Sequence, residues 1–178
     1  MAAGGLWTDI AINGTRLPLT EQTLSLSGSS PLSERLTLLG GAGALLGGRL
    51  GNARFSPGEA AFAGLSFRAL APAGAVPLVA VALTASAAHA SVEGDSFTST
   101  DLKLAATAAW PLEGVVAPYL SAAAFGGPIF YRGSIGGDRY HYQVLAGVAA
   151  ALPGGFDLFL EGSPVGARVL SGGAGYTW

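Results

Sequence analysis

Histidine and serine stand two residues apart in the segment His89-Ala90-Ser91, and Glu93 follows two residues further on. In an extended strand alternate side chains point to the same face, so this spacing places an imidazole, a hydroxyl and a carboxylate side by side. A histidine that removes the proton of a serine hydroxyl creates a nucleophile for hydrolysis. Such a pair is also frequent by chance, and a histidine at a strand end is commonly an interfacial residue. The pair alone does not predict catalysis, and we expect that the chain is not an enzyme.

The second histidine, His141, follows Asp138 and Arg139 in a polar stretch, where we expect it to form a hydrogen bond at the base of a loop. Two histidines and no cysteine are too few for the three or four ligands typical of a zinc site. The many glycines lack the strand-then-helix context of phosphate-binding motifs. The sequence therefore predicts neither a metal site nor a cofactor.

The chain is poor in charge for its apolar content. Hydrophobic residues make up 50% of its 178 residues and charged residues only 11%, against about 25% charged residues in an average soluble domain. A water-exposed surface with so little charge favours precipitation, which indicates that much of this surface faces lipid. The net charge of −2 provides no basic footprint, so we expect no nucleic-acid partner.

Helices and closed barrels of strands are the two ways to cross a bilayer, and this sequence favours strands. The uncharged segment Ala69–Ser91 is long enough for a spanning helix. It is interrupted by Pro72, Gly74 and Pro77, and its second half alternates β-branched with small residues, as strands do. No cluster of lysine and arginine flanks the apolar segments, so the orienting signal of helical membrane proteins is missing.

A period of two is clearest in the second half of the chain. Leu102 and Leu104 alternate with Asp101 and Lys103, and the two segments that end the chain show the same alternation. One apolar face opposed by a small or polar face is typical of a transmembrane strand that closes a narrow barrel.

We therefore predict an all-β protein with one domain over residues 1–178, a closed antiparallel up-and-down transmembrane β-barrel of ten strands. An eight-stranded barrel with an N-terminal extension is the alternative, because the first candidate strand alternates imperfectly and the second is short. The predicted strands are Leu6–Arg16, Thr23–Ser29, Arg35–Leu46, Glu59–Leu70, Leu78–Ala90, Thr100–Leu112, Val115–Phe125, Tyr140–Leu152, Phe156–Ser163 and Leu170–Trp178.

Short Pro- and Gly-rich turns alternate with longer polar loops. Pro111–Gly114 is one of the turns, and Gly47–Gly58 and Gly126–Arg139 are among the loops. In outer-membrane barrels the short turns are periplasmic, so an even number of strands predicts that both termini are periplasmic. The first residues lack the features of a signal peptide, and we expect the exported protein to have a leader in its precursor.

The last segment, Gly172-Gly173-Ala174-Gly175-Tyr176-Thr177-Trp178, resembles the closing strand of small bacterial outer-membrane barrels of the OmpA/OmpX-like type. The resemblance implies an integral protein of the outer membrane, surrounded by lipid and lipopolysaccharide. It also implies that the barrel-assembly machinery reads the terminal aromatic Trp178. The His89–Ser91 pair is similar to one used by a lipid A deacylase family, but Val92 stands where that family has asparagine.

Eight charged residues fall on faces that the alternation assigns to the barrel interior. Buried charges need partners or water, so we expect ion pairs that plug the lumen, with a thin polar channel as the alternative. These residues are Asp9, Arg35, Arg49, Arg68, Asp101, Lys103, Asp157 and Glu161.

Aromatic residues near the predicted strand ends suit the two girdles of a membrane barrel. The loop aromatics Phe55, Phe97, Phe130 and Tyr131 are also predicted near the outer rim. The predicted girdle consists of Trp110, Tyr119, Phe156, Tyr176, Trp178, Tyr140 and Tyr142.

These patterns predict a structural or surface-interaction protein of the outer membrane whose two long loops contact a surface ligand. A narrow pore or a carrier for small molecules is the alternative. An outer-membrane hydrolase that modifies lipid at His89 is the second alternative.

Overall fold

The computed structural model describes residues 1–176, and these form an all-β structure. Within them no helix has the length and apolar character needed to cross a membrane. The thirteen strands are β1 (Ala2–Ile12), β2 (Thr15–Pro31), β3 (Leu36–Leu50), β4 (Ala53–Arg54), β5 (Gly58–Leu70), β6 (Leu78–Val92), β7 (Asp95–Ala109), β8 (Val116–Gly126), β9 (Pro128–Tyr131), β10 (Ser134–Asp138), β11 (Tyr142–Leu152), β12 (Phe156–Gly166) and β13 (Arg168–Tyr176).

Ten of these strands form one closed antiparallel ring. Its order is β1, β2, β3, β5, β6, β7, β8, β11, β12 and β13, and β13 pairs back to β1 with Ala2 opposite Gly173. The predicted ten-stranded barrel is confirmed, and the eight-stranded alternative is wrong. Ala2 at the start of β1 and Tyr176 at the end of β13 lie at the same rim, which we call the terminal rim.

The predicted boundaries of the first two strands are wrong. The prediction Leu6–Arg16 runs through the turn Asn13–Gly14, where both residues have positive φ angles of 49° and 77°. A two-residue turn with both φ angles positive matches the twist of paired strands, so β1 and β2 form a tight hairpin. The rim that contains this turn is the hairpin rim. From there β2 continues for 17 residues, far beyond the predicted Thr23–Ser29.

The predicted loop Gly126–Arg139 is instead a hairpin of two short strands that joins the barrel wall. Strand β9 pairs with β7 at Phe97–Ser99, and β10 pairs with β1 at Ile10–Ile12. Closer to the terminal rim, β7 pairs with β8 and β1 pairs with β13. The sheet therefore divides, with four strands closing it towards the terminal rim and the β9–β10 hairpin closing it at the hairpin rim.

Gly127 lies at this division, between the end of β8 and the start of β9. A Cβ atom at this position would lie 1.9 Å from the carbonyl oxygen of Thr100 on β7. Only glycine lets the backbone pass this close to its neighbour. The turn of the chain from the four-strand wall into the hairpin thus depends on the absence of a side chain.

Side chains alternate between the two faces of the wall, as the sequence predicts. Leu102, Leu104 and Leu158 are exposed on the outer face, whereas Asp101 and Lys103 line a cavity inside. Apolar residues therefore cover the outside of the barrel, which is the reverse of a soluble protein.

The most deeply buried residues fill the barrel interior near the hairpin rim. They come from β1, β2, β3, β6, β7 and β9 and from the segment after β4, and Phe55 packs edge to face on Phe97 with ring centroids 4.9 Å apart. Both phenylalanines, predicted near the outer rim in loops, are instead buried. We call this group the apolar cluster; it consists of Ile10, Ile12, Leu19, Leu45, Leu50, Phe55, Ala90, Val92, Phe97 and Ile129.

Replacing Gly127 with alanine tests the crossing at the division of the sheet. We expect Gly127→Ala to lower the free energy of unfolding by about 1–3 kcal/mol, because the added methyl group overlaps a backbone carbonyl. Gly28→Ala is the matched control, since a Cβ atom there meets nothing within 4 Å. Urea titration of the barrel refolded in lipid vesicles measures both, and equal losses would contradict this account.

Candidate functional site

A cavity of about 360 Å³ lies inside the barrel, next to the apolar cluster. Leu19, Leu45 and Ile129 of that cluster form part of its wall. Alanine and other apolar residues form much of the remainder, among them Leu6 and Phe62. The cavity is therefore apolar over most of its wall and is bounded by the cluster on the side of the hairpin rim.

One part of the cavity wall is polar. Lys103 donates a hydrogen bond from Nζ to Oε1 of Gln143 at 3.0 Å, and Gln143 donates from Nε2 to the carbonyl oxygen of Ala167 at 3.3 Å. We call one set of these polar residues the polar pole; it consists of Thr8, Glu21, Asp101, Lys103, Asp138 and Gln143. The hydroxyl residues Thr23, Ser25, Ser86, Ser99 and Thr100 also line the cavity.

Three oxygen atoms of the polar pole are buried and have no hydrogen-bond partner among residues 1–176. They are Oγ1 of Thr8, Oε1 of Glu21 and Oδ1 of Asp101. Thr8 is only 9% exposed. Buried polar atoms are nearly always satisfied in proteins, so a cluster of three around one cavity marks a place where something else supplies the partners.

The polar pole contains more negative than positive groups. Glu21, Asp101 and Asp138 supply three carboxyl groups, and Lys103 supplies one ammonium. Asp138 belongs to β10, outside the ring of ten strands, and its burial together with the nearby charge of Asp101 raises its pKa to about 6, while His141 opposes the shift.

A second polar contact lies deeper towards the terminal rim. The hydroxyl of Tyr119 donates to Oε2 of Glu161 at 2.7 Å, and the hydroxyl of Ser171 donates to Oε1 of the same carboxylate at 2.6 Å. The Tyr119 ring lies against Gly147, where a Cβ atom would come within 2.4 Å of it. Tyr119 was predicted in the girdle, and this is wrong: it points inward because its neighbour Leu120 takes the outer face.

Six of the eight predicted lumen charges lie inside the barrel or at the terminal rim. Asp101 and Lys103 line the cavity, Glu161 accepts the two bonds just described, and Asp157 shares its strand face. Their functional role remains a prediction. Arg35 and Arg68 are exposed at the terminal rim, where Arg68 bonds to the carbonyl of Glu34.

The predicted inward positions of Asp9 and Arg49 are wrong, because both side chains point away from the lumen. On β1 the inward positions are Thr8 and Ile10, which leaves Asp9 outside, paired with Arg16 at 2.5 Å. On β3 the buried Leu50 takes the inward position and leaves Arg49 exposed. For Asp9 the predicted register was off by one residue. Arg49 lay in a predicted loop, and a register shift around Leu46 exchanges the two faces of β3 before it.

The ion pairs that we observe lie at the hairpin rim, not in the lumen. Besides the pair of Asp9 and Arg16, Arg132 contacts Asp95 at 2.5 Å and Glu93 at 3.9 Å. Asp95 raises the pKa of the Arg132 guanidinium through this contact. Interior space near this rim, which we expected charged pairs to fill, holds the apolar cluster.

Sequence reasoning missed four members of the polar pole: Thr8, Glu21, Asp138 and Gln143. Glu21 fell between two misplaced strands, and Asp138 fell in a predicted loop. The signal for Glu21 was the Asn13-Gly14 pair, since a hairpin turn there starts β2 early enough to place Glu21 on the inward face with Leu19.

The predicted girdle residues lie in different places. Phe156 and Tyr176 are exposed on the outer face near the terminal rim, with ring centroids 5.2 Å apart. Tyr142 is exposed at the other end of the wall, whereas Trp110 and Tyr140 are half-buried. The predicted girdle residue Trp178 lies outside the described residues.

The two histidines make different hydrogen bonds. In a serine triad the second ring nitrogen is held by a carboxylate, but Nδ1 of His89 lies 2.9 Å from the Thr98 hydroxyl. His141 Nδ1 lies 3.3 Å from the carbonyl oxygen of Phe125, at the start of β11, as expected for a hydrogen bond at a loop base. Within residues 1–176 no three histidine, cysteine or acidic residues are grouped so as to hold a metal ion.

No protein-family model matches the chain, and no curated protein matches it. Among solved structures the Pseudomonas putida toluene transporter TodX is similar at 10% sequence identity and a TM-score of 0.36; the match covers 99% of this chain and 79% of TodX. A likeness this distant assigns neither a family nor a function.

Removing the Tyr119 hydroxyl tests its contact with Glu161. We expect Tyr119→Phe to lower the free energy of unfolding by about 1–3 kcal/mol, because a partly buried carboxylate loses a donor. Tyr142→Phe, on the exposed outer face, is the control and should change stability by less than about 0.5 kcal/mol. Denaturant titration in vesicles measures both variants. An unchanged free energy of unfolding in Tyr119→Phe would show that the contact does not stabilise the barrel.

Proposed function

We propose that the barrel spans the bacterial outer membrane and takes a small, largely apolar molecule into its interior cavity, in the manner of a carrier or binding protein. The observation that carries this proposal is a largely apolar cavity with unsatisfied polar atoms, inside a barrel whose outer face is apolar. Ligand sites are typically apolar cavities with a few convergent polar groups.

The apolar outer face of the barrel supports a position in the membrane. Exposed Leu104, Leu120 and Leu170 belong to an apolar belt around the wall, and the exposed Glu59 and His89 mark its end towards the hairpin rim. A spanning strand needs about 9–11 residues, whereas β2, β3, β6 and β7 have 15 to 17. These strands therefore extend past the belt.

The hairpin rim is accordingly the external one, and both termini are periplasmic. Longer extensions on the outside and short turns on the periplasmic side are the usual arrangement of such barrels. Outer-membrane lipid and lipopolysaccharide would contact the belt, and the barrel-assembly machinery would read the C-terminal strand.

The apolar cluster favours a carrier over an open pore. Its ten members are at most 7% exposed, so the interior between the cavity and the hairpin rim is packed with side chains. A molecule in the cavity would be shielded from the external medium along the barrel axis, and ions would have no polar path past the cluster.

Arginine on the outer face tests the membrane position. We expect Leu104→Arg to lower the free energy of unfolding in vesicles by about 2–4 kcal/mol, the cost of a charge near the bilayer midplane. Ser96→Arg is the control on the same strand and the same face, beyond the belt, and should cost at most about 1 kcal/mol. Equal costs for the two variants would remove the support for this membrane position.

Filling the cavity tests ligand binding. Fluorine NMR with para-fluorobenzyl alcohol, on barrels in phosphatidylcholine nanodiscs with empty nanodiscs subtracted, should show saturable binding. Ala88→Phe should abolish it, because Ala88 lines the cavity. Ala85→Phe on the outer face of the same strand should not. No binding by the wild type, or equal binding by both variants, would contradict the proposal.

A structural or surface-contact role is the second candidate. On the β9–β10 hairpin Phe130 is 43% exposed and Ile135 is 66% exposed, although this hairpin lies beyond the belt. Exposed apolar residues outside the membrane suit a contact with another macromolecule.

A further inference from the structure

The polar pole lacks donors, not acceptors. Of its three unsatisfied atoms, two are carboxylate oxygens, of Glu21 and Asp101, and the third is the hydroxyl oxygen of Thr8. A carboxylate only accepts hydrogen bonds, and a hydroxyl can accept as well as donate. The missing partner is therefore a group that donates several hydrogen bonds.

The ammonium of Lys103 does not supply these bonds. It donates to Gln143, and its charge acts on Glu161 as well as on Asp101. The charged group that acts on Glu21 is Asp138, another carboxyl. With three carboxyl groups facing one shared ammonium, the polar pole is short of positive charge.

We infer that the ligand of this cavity is an organic amine, whose ammonium binds between Glu21, Asp101 and Thr8 while its apolar body fills the space beside the apolar cluster. This inference rests on the proposed function and specifies the class of ligand. An ammonium offers three donors and one positive charge, and both are what the polar pole lacks.

Other ligand classes fit less well. An organic acid would meet three carboxyl groups of like charge. A divalent metal ion is not favoured, because within residues 1–176 no three histidine, cysteine or acidic residues are grouped for one. A small inorganic cation would leave the apolar wall, with Leu6, Leu45 and Phe62, without contacts.

A matched set of probes tests the inference on the intact barrel. Dissociation constants for para-fluorobenzylamine, para-fluorobenzyl alcohol and para-fluorobenzoate are measured by fluorine NMR at neutral pH in phosphatidylcholine nanodiscs. We expect the amine to bind about tenfold or more tightly than the alcohol, as charge-assisted hydrogen bonds imply. The benzoate should bind most weakly.

Two variants locate the ammonium. Glu21→Gln and Asp101→Asn should each reduce that preference about tenfold. Glu59→Gln, the same change on the outer face, should leave all three constants unchanged. Heat-modifiable migration on gels shows which variants are folded, and the wild-type comparison of the three probes needs no variant.

The outcomes separate this inference from the proposed function. Equal affinity for amine and alcohol, or a preference that survives both variants, would overturn the inference while the cavity remains a binding site. Displacement of the amine by potassium chloride, but not by choline chloride, would overturn it in favour of an inorganic cation. If none of the three probes binds, the proposed function fails as well.

Discussion

The structure depends on one constraint: every strand edge of the ring must find a partner. Strand β13 supplies the last one by pairing with β1, and the terminal amino group of Met1 adds a bond of 2.6 Å to the carbonyl oxygen of Ala174. In lipid an unpaired backbone edge costs several kcal/mol per group, so only closed sheets are tolerated. Closure in turn forces one set of side chains outward and the other into a narrow interior.

The division of the sheet then shapes that interior. Because β9 and β10 replace four strands near the hairpin rim, the wall there is narrower, and the buried side chains of the apolar cluster lie inside it. Towards the terminal rim the wall is wider, and many inward positions carry small residues. The cavity lies where the two widths meet, and the polar pole lies on both sides of the division, with Asp138 on β10 and Gln143 on β11.

The sequence predicts the barrel well, because alternation and turn composition are local signals. The alternation of β7 places Asp101 and Lys103 on the wall of the cavity for this reason. Asp9 and Arg49 point away from the lumen, Asp9 because the predicted register of the first strand was off by one residue, and Arg49 because a register shift around Leu46 exchanges the faces of β3. The inward position of Tyr119 and the replacement of the predicted loop by β9 and β10 depend on long-range pairing, which no local pattern contains. The grouping of the polar pole was not predicted, because its members come from four different strands of the ring and from β10, which lies in the segment predicted as a loop.

Single-channel recording in planar bilayers tests most directly whether the interior is closed by the apolar cluster. With the purified barrel in concentrated potassium chloride, we predict that the membrane shows no conductance, because ten buried apolar side chains separate the cavity from the hairpin rim. Steady, voltage-independent conductance steps from the folded wild type would contradict it and would show a continuous water-filled path through the barrel.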